Sequence, residues 1–261
     1  MEIAGYLASV LIGITLGLIG GGGSILAVPI LVYLFRVHPV TATTYSLFIV
    51  GITSATGSYA YIKKGLVDIR TAFIFGLPAL TAVFITRLFV LPAIPDEIFS
   101  LGSTMVTKGM ILLLLFAVLM IAASVSMIRK APRLRPHAGQ PRTSLLVIQG
   151  AATGAITGLI GAGGGFMIIP ALVLFAGISM KEAVGTSLLI ITVNSIFGFF
   201  TGMPRGISWP LLTGICLFAL AGLGIGLMLS GKIDGKKLKP AFGWFVLACG
   251  TYILLKETVF K

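Results

Sequence analysis

Carboxylates are scarce in this sequence, with seven Asp and Glu against 19 Lys and Arg. Glu2, Asp68, Asp96, Glu97, Glu182, Asp234 and Glu257 all fall between apolar runs or near their ends. No run carries an acid at its middle, where a proton relay or a cation pathway ordinarily needs one, so whatever moves among these runs is expected to be an anion. Cysteine is limited to Cys216 and Cys249, with no CxxC or Cys/His spacing. Neither a disulfide framework nor a metal site is expected, and both cysteines read as packing residues. His38, beside Pro39, reads as solvated, and His137 belongs to a basic stretch. With no nucleophile matched to a base and no soluble domain, nothing points to an enzyme, and no cofactor is implied.

What the chain has in abundance is apolar sequence. Of 261 residues 57% are apolar and only 10% charged, with 34 glycines and a mean hydropathy of +1.10, which places it among integral membrane proteins. The runs are of helix length, unlike the alternating ten-residue strands of an outer-membrane barrel. The expected fold is therefore an all-α polytopic membrane protein, with the lipid bilayer as its surroundings. Met1-Glu2-Ile3 has no basic n-region, so the first run is expected to stay in the mature protein. The net charge of +12 sits between the runs, as orientation signals do, and leaves little for a nucleic-acid surface.

Ten runs are legible, at about 3–20, 24–36, 41–62, 69–91 and 107–128, then 143–161, 165–178, 182–202, 207–230 and 240–256. Between the fifth and sixth lies a basic, proline-punctuated linker, 129–142, expected to be cytoplasmic. The expected organisation is thus a first repeat over 1–128, the linker, and a second repeat over 143–261.

The halves are copies. Gly17 to Gly23, then Ser24 and Pro29, returns 141 residues later as Gly158 to Gly164, then Gly165 and Pro170. At that offset 16 of the 49 positions from Gly17/Gly158 to Gly65/Gly206 are identical, including Ser46/Ser187, Ser54/Ser195 and Gly57/Gly198. Shared apolar bias does not put a glycine cluster, a proline and two serines in one register, so the chain is an internal duplication. If the linker is cytoplasmic, Lys63, Lys64, Arg70, Lys232, Lys236, Lys237 and Lys239 also fall inside, with Asp96, Glu97 and Arg205 outside. Five runs per half then make the two repeats inverted in the membrane. The runs flanking each glycine stretch are short for a full span, so each pair is expected to be either two short spans or a hairpin turning inside the membrane.

Glycine stretches in such runs put broken backbone at membrane depth, tolerable only where it is buried in protein or lines a cavity. A helix starting at Ser24 or Gly165 presents unpaired N–H groups and the positive end of its dipole, which favour an anion. The competing reading is that the glycines allow close helix packing. The candidate substrate-binding residues are Gly20, Gly22, Gly23, Ser24, Gly161, Gly163, Gly164 and Gly165, completed by Ser46, Thr186, Ser187 and Asn194 from the next run of each half. For each hydroxyl, bonding back to its own helix is the alternative, and Asn194 is a stronger candidate than Thr53. Arg87 is either an anion contact or a side chain snorkelling to the outer interface, with snorkelling favoured. Trp209 and Tyr252 sit where interfacial anchors do. Gly222, Gly224 and Gly226 serve either packing within the chain or a homodimer face.

The strings GLIGGGGSILAVPIL and GLIGAGGGFMIIPAL, each followed by a Thr/Ser-bearing helix, resemble the paired signature of the sulfite exporter TauE/SafE family. The resemblance covers nearly the whole chain. It implies a cell inner (plasma) membrane permease for small sulfur oxoanions such as sulfite, sulfoacetate or other organosulfonates, often an exporter, with Gly20 to Ser24 and Pro29, and Gly161 to Gly165 and Pro170, as its motif residues. Gly21 is replaced by Ala162, and Ser24 by Gly165, so the half-sites are not chemically equivalent. An anion channel, or an uptake transporter coupled to an ion gradient, remains the alternative.

Overall fold

The computed structural model describes residues 2–21, 23–101, 104–128, 143–203, 206–230 and 235–258. Gly22, the linker 129–142 with His137, Arg205, Lys232 and Asp234 lie outside them, and so do the expectations attached to those residues.

All ten expected runs are helical. In order they are α1 (Glu2–Ile19); α2 (Ser24–Pro29) with a π-helical turn, Ile30–Leu34; α3 (Pro39–Lys63); and α4 (Ile69–Ile85), which passes through a second π-turn, Thr86–Val90, into α5 (Leu91–Ala93). Then come α6 (Lys108–Ile128), α7 (Thr143–Ile160), α8 (Gly165–Ala171) with a third π-turn, Leu172–Ala176, α9 (Met180–Thr201), α10 (Trp209–Leu229) and α11 (Gly235–Thr258). Pro29 and Pro170 lack the N–H that would bond back into the preceding turn, and in both copies the helix widens into a π-turn just beyond the proline.

Among the described residues five stretches are long and apolar enough to cross a membrane: Ile69–Ala93, Lys108–Val125, Thr143–Ile160, Met180–Thr201 and Trp209–Leu229. The chain is a multi-pass membrane protein, mostly helical. It is not wholly so, because β1 (Glu97–Leu101) and β2 (Thr104–Thr107) form an antiparallel hairpin between α5 and α6. Phe99, Val106 and Thr107 suit a strand, and a search for helix-length apolar runs passes over so short a ribbon.

Tyr6, near the start of α1, packs edge-on against Phe35, just past the first π-turn, with ring centroids 5.2 Å apart. The chain therefore goes in along α1 and returns along α2 and its π-turn as a helical hairpin with the glycines at its tip. Ser24–Leu34 at 1.5 Å per residue is roughly 16 Å long, about half the hydrocarbon thickness. α7 and α8 pack as a second hairpin, with its π-turn also against α7.

The halves interlock. α1 runs parallel to α10: a methyl at Gly17 would meet the backbone at Leu223 and Leu227, and one at Gly226 that of Ile14. α7 packs in the same way on α4, with Gly150, Gly154 and Gly158 against Phe75, Ala79 and Thr86. At the centre α3 and α9 run antiparallel, with Gly198 against Leu47, Gly51 against Ile196 and Gly57 against Leu188. α6 packs on α11. Small residues let these backbones approach closely, as membrane helices require.

Polarity follows this plan. α3 buries Thr43, Thr44, Ser46, Thr53, Ser54 and Ser58, which only a helix enclosed by protein tolerates. Phe73, Leu77 and Phe89 stand exposed along α4 and its π-turn, as expected of a face turned to lipid. Both cysteines are free, and Cys216 packs in a core with Leu31, Tyr45 and Leu212.

Candidate functional site

Each hairpin tip begins with a glycine that ends a helix in the left-handed conformation. Gly20 has φ +78 and Gly161 φ +74. Their N–H groups donate to the carbonyls of Leu16 and Thr157, each at 2.8 Å. Only glycine takes that conformation without steric cost. The second tip is left-handed again at Gly163 (φ +65) and Gly164 (φ +68), whereas Gly23 is right-handed at φ −66. The tips are thus unequal in backbone as well as in sequence. Neither α2 nor α8 has a side-chain cap at its start.

The tips meet. A methyl placed on Gly21 would lie 2.5 Å from the Gly165 carbonyl carbon, and one on Gly163 would lie 3.3 Å from Cβ of Ser24. Backbone rests directly on backbone there. The third helix of each half, α3 or α9, then reaches across to the tip of the other. Ser46 Oγ lies 2.6 Å from the Gly161 carbonyl oxygen, and Ser187 Oγ lies 3.4 Å from that of Gly20. These are the same two positions in each repeat, so the bonds cross as a reciprocal pair. Ser46 also lies 2.9 Å from the Thr43 carbonyl, and Ser187 2.8 Å from that of Val184, so each hydroxyl proton has two acceptors within reach.

Of the residues expected at the site, Gly20, Ser24, Ser46, Gly161, Gly163, Gly165 and Ser187 come together here. Gly23 and Gly164 pack against the first helix of their own hairpins: a methyl on Gly23 would sit 2.7 Å from Leu16 N and one on Gly164 2.8 Å from Thr153 Cγ2. Thr186 turns elsewhere, its hydroxyl accepting from the Asp68 N–H at 2.9 Å in the α3–α4 connection. Thr53 bonds back to the Ile49 carbonyl at 2.6 Å. Asn194, 1% exposed, lies one turn along α9 from Ile191, which borders both Gly163 and Gly165, and its Oδ1 has no hydrogen-bond partner among the described residues.

Ser54, Ser195, Thr153 and Thr157 are likewise buried with unpartnered hydroxyls among the described residues. The two threonines are not among the residues expected from the sequence. They line α7 beside Gly164, and their first-repeat counterparts, Ile12 and Leu16, are fully buried apolar residues. A buried hydroxyl without a partner is costly. The threonine hydroxyls left without a partner beside a tip glycine therefore belong to the second half.

The snorkelling expectation for Arg87 is overturned. It is 2% exposed, with Nη1 donating to Thr44 Oγ1 at 2.7 Å and Nη2 to Thr43 Oγ1 at 3.3 Å. Within the π-turn Thr86–Val90, Leu88, Phe89 and Val90 stand exposed while Thr86 and Arg87 are buried, with Arg87 against the start of α3, and Gly202, closing α9, makes the room: a methyl there would sit 2.7 Å from Nη1. Depth in the sequence told how near Arg87 lies to the end of its span but not which way it faces.

Residues 6–253 match the model of the family described as Sulfite exporter TauE/SafE. A probable membrane transporter protein of Xylella fastidiosa is 32% identical over 258 residues, covering 95% of this chain and 92% of that protein. The probable membrane transporter protein YunE of Bacillus subtilis is 28% identical, covering 85% of each chain. A further probable membrane transporter protein, from Methanocaldococcus jannaschii, is 25% identical, covering 94% of this chain and 92% of its own length. No solved structure matches the chain.

Proposed function

Because the chain belongs to the sulfite exporter TauE/SafE family of membrane transporters, we propose that it carries small sulfur oxoanions, sulfite or an organosulfonate such as sulfoacetate, out across the inner membrane. The carrier works by alternating access around a midplane site between the two glycine tips. The observation that carries this reading is the backbone contact of Gly21 with Gly165, bridged by the reciprocal bonds of Ser46 and Ser187. The antiparallel crossing of α3 with α9, its own repeat counterpart, supports an inverted relation between the halves, in which one hairpin enters from each side. An anion held between the tips parts them, and it meets the starts of α2 and α8 together with the hydroxyls of Thr153 and Thr157. Binding that separates the tips, and release that lets them close, fit a carrier better than a pore.

With the cell interior negative, expelling one negative charge is favoured by about 2.3 kcal/mol per 100 mV, so export needs no coupling ion. The test is sulfite flux from loaded proteoliposomes of the full-length protein under an imposed potential of either sign. Flux that follows the sign of the potential without a proton or sodium gradient is the expected result. Movement only under an imposed proton or sodium gradient overturns the uncoupled export reading, and single-channel currents overturn the carrier.

A further inference from the structure

Arg87 is a cation in an apolar span, and no carboxylate among the described residues pairs with it. Among the described residues the ion pair present is Lys108 with Asp96, 3.8 Å apart, and Arg87 has only the neutral hydroxyls of Thr43 and Thr44 for acceptors. Its Nε is buried without a partner. A guanidinium has five N–H donors in a planar fork that fits an oxoanion. Two hydroxyls occupy one donor on each terminal nitrogen, which leaves Nε–H and the second hydrogen of each terminal nitrogen. A buried charge without its opposite is strongly unfavourable, so a mobile counter-ion is the natural partner.

The surroundings are arranged for it. Thr43 and Thr44 orient the guanidinium from α3, and Gly202 clears its space from α9. Thr43 also ties this place to the glycine tips, since a methyl on Gly161 would overlap its backbone carbonyl. At the matching place in the other half the residues are Met228, Val184 and Gly185, and Met228 is 79% exposed. The feature therefore exists on one side of the tips only, and the duplication does not account for it.

We propose that Arg87, held by Thr43 and Thr44, is a second anion-binding station for the transported anion, set between the glycine tips and the end of the protein formed by the start of α3 and the close of α9. It rests on the oxoanion reading above for the identity of the cargo, but not for the existence of the station. An anion leaving the tips on this side passes to a fixed positive charge, and one leaving on the other side does not.

The test uses full-length protein in detergent with sulfite and, separately, nitrate as probes, so that the guanidinium is assayed whether or not sulfite is the cargo. Affinity is read from anion-dependent thermal stabilisation of wild type, Arg87→Met, Arg87→Lys and the Thr43→Val/Thr44→Val pair. Arg87→Met is expected to weaken both anions by about tenfold or more and to raise the unfolding temperature in anion-free buffer, because a lone buried charge has been replaced by an apolar chain of similar length. Arg87→Lys is expected to recover part of the affinity. An arginine serving only as a structural strut would instead lower the anion-free unfolding temperature when replaced. Wild-type affinity for both anions in folded Arg87→Met overturns the station, and if that variant does not fold, wild-type affinity in both remaining variants does so. Thr153→Val/Thr157→Val, measured in parallel, separates the two readings. Weakened sulfite binding there with none in Arg87→Met leaves the tips and removes the station, and the reverse removes the tips and leaves the station.

Discussion

The Ser46 hydroxyl donates to the Gly161 carbonyl at 2.6 Å, and this bond joins the third helix of one repeat to the hairpin tip of the other. Its reciprocal, Ser187 to Gly20, is longer at 3.4 Å. Both serines are fully buried, out of reach of bulk solvent. Removing the Ser46 hydroxyl leaves a buried carbonyl at the tip without its donor, at a cost of about 1–3 kcal/mol. Ser46→Ala is therefore expected to lower the unfolding temperature of the purified protein more than Ser187→Ala, and equal effects from the two variants would count against the inequality of the tips.

The backbone at Gly161 has no freedom to spare. Its φ of +74 is unfavourable for any residue with a Cβ, and the added methyl would overlap the Thr43 carbonyl. Gly161→Ala is expected to reduce the yield of folded protein sharply, on the scale of the larger core substitutions. Gly65 has a comparable φ of +65, and a methyl added there would find nothing within 4 Å, so Gly65→Ala isolates the backbone term, about 1–2 kcal/mol. Comparing the unfolding temperatures of the two variants measures how much of the tip's sensitivity is contact rather than conformation.

Thr153 and Thr157 separate stability from binding. Their hydroxyls are buried without partners among the described residues, and valine has nearly the same shape without the oxygen. If the hydroxyls serve only packing, the double valine variant is at least as stable as wild type and binds as before. The expected outcome is unchanged or raised stability with sulfite affinity reduced several-fold, read by titration calorimetry on the same preparation.

Much of this molecule is legible in its sequence, for reasons that mark where legibility stops. Ten apolar runs become ten helical segments because hydropathy over helix-length windows is the signal the bilayer imposes. The offset of 141 residues makes Gly20 the equivalent of Gly161 and Ser46 the equivalent of Ser187, and those four residues form the crossed pair of bonds. That same attention to matched positions hides what is unmatched: Thr153 and Thr157 stand opposite Ile12 and Leu16, and Arg87 stands opposite Met228. Thr186 illustrates a different limit, since its repeat partner Tyr45 gives no hint that its hydroxyl serves the Asp68 N–H. Which face of a helix a residue occupies is fixed by tertiary packing, and for Arg87 the decisive neighbour is Gly202, on another helix and far away in the chain.

The three alternate glycines of α10 make a final test of how glycine is used here. Gly222 and Gly226 face α1, where a methyl on Gly222 would overlap the Val10 carbonyl, while Gly224 has nothing within 4 Å. The first two therefore belong to packing within the chain, and the third faces outward. Pushing α1 from α10 is an overpacking change worth about 1–3 kcal/mol, so Gly222→Ala is expected to lower the unfolding temperature. Gly224→Ala replaces a helix-interior glycine without a clash and is expected to stabilise by roughly 0.5–1 kcal/mol. Should Gly224→Ala instead destabilise the protein and shift its mass in detergent toward the monomer, the outward face of α10 is a contact between two copies, and its glycine is there for the partner's backbone.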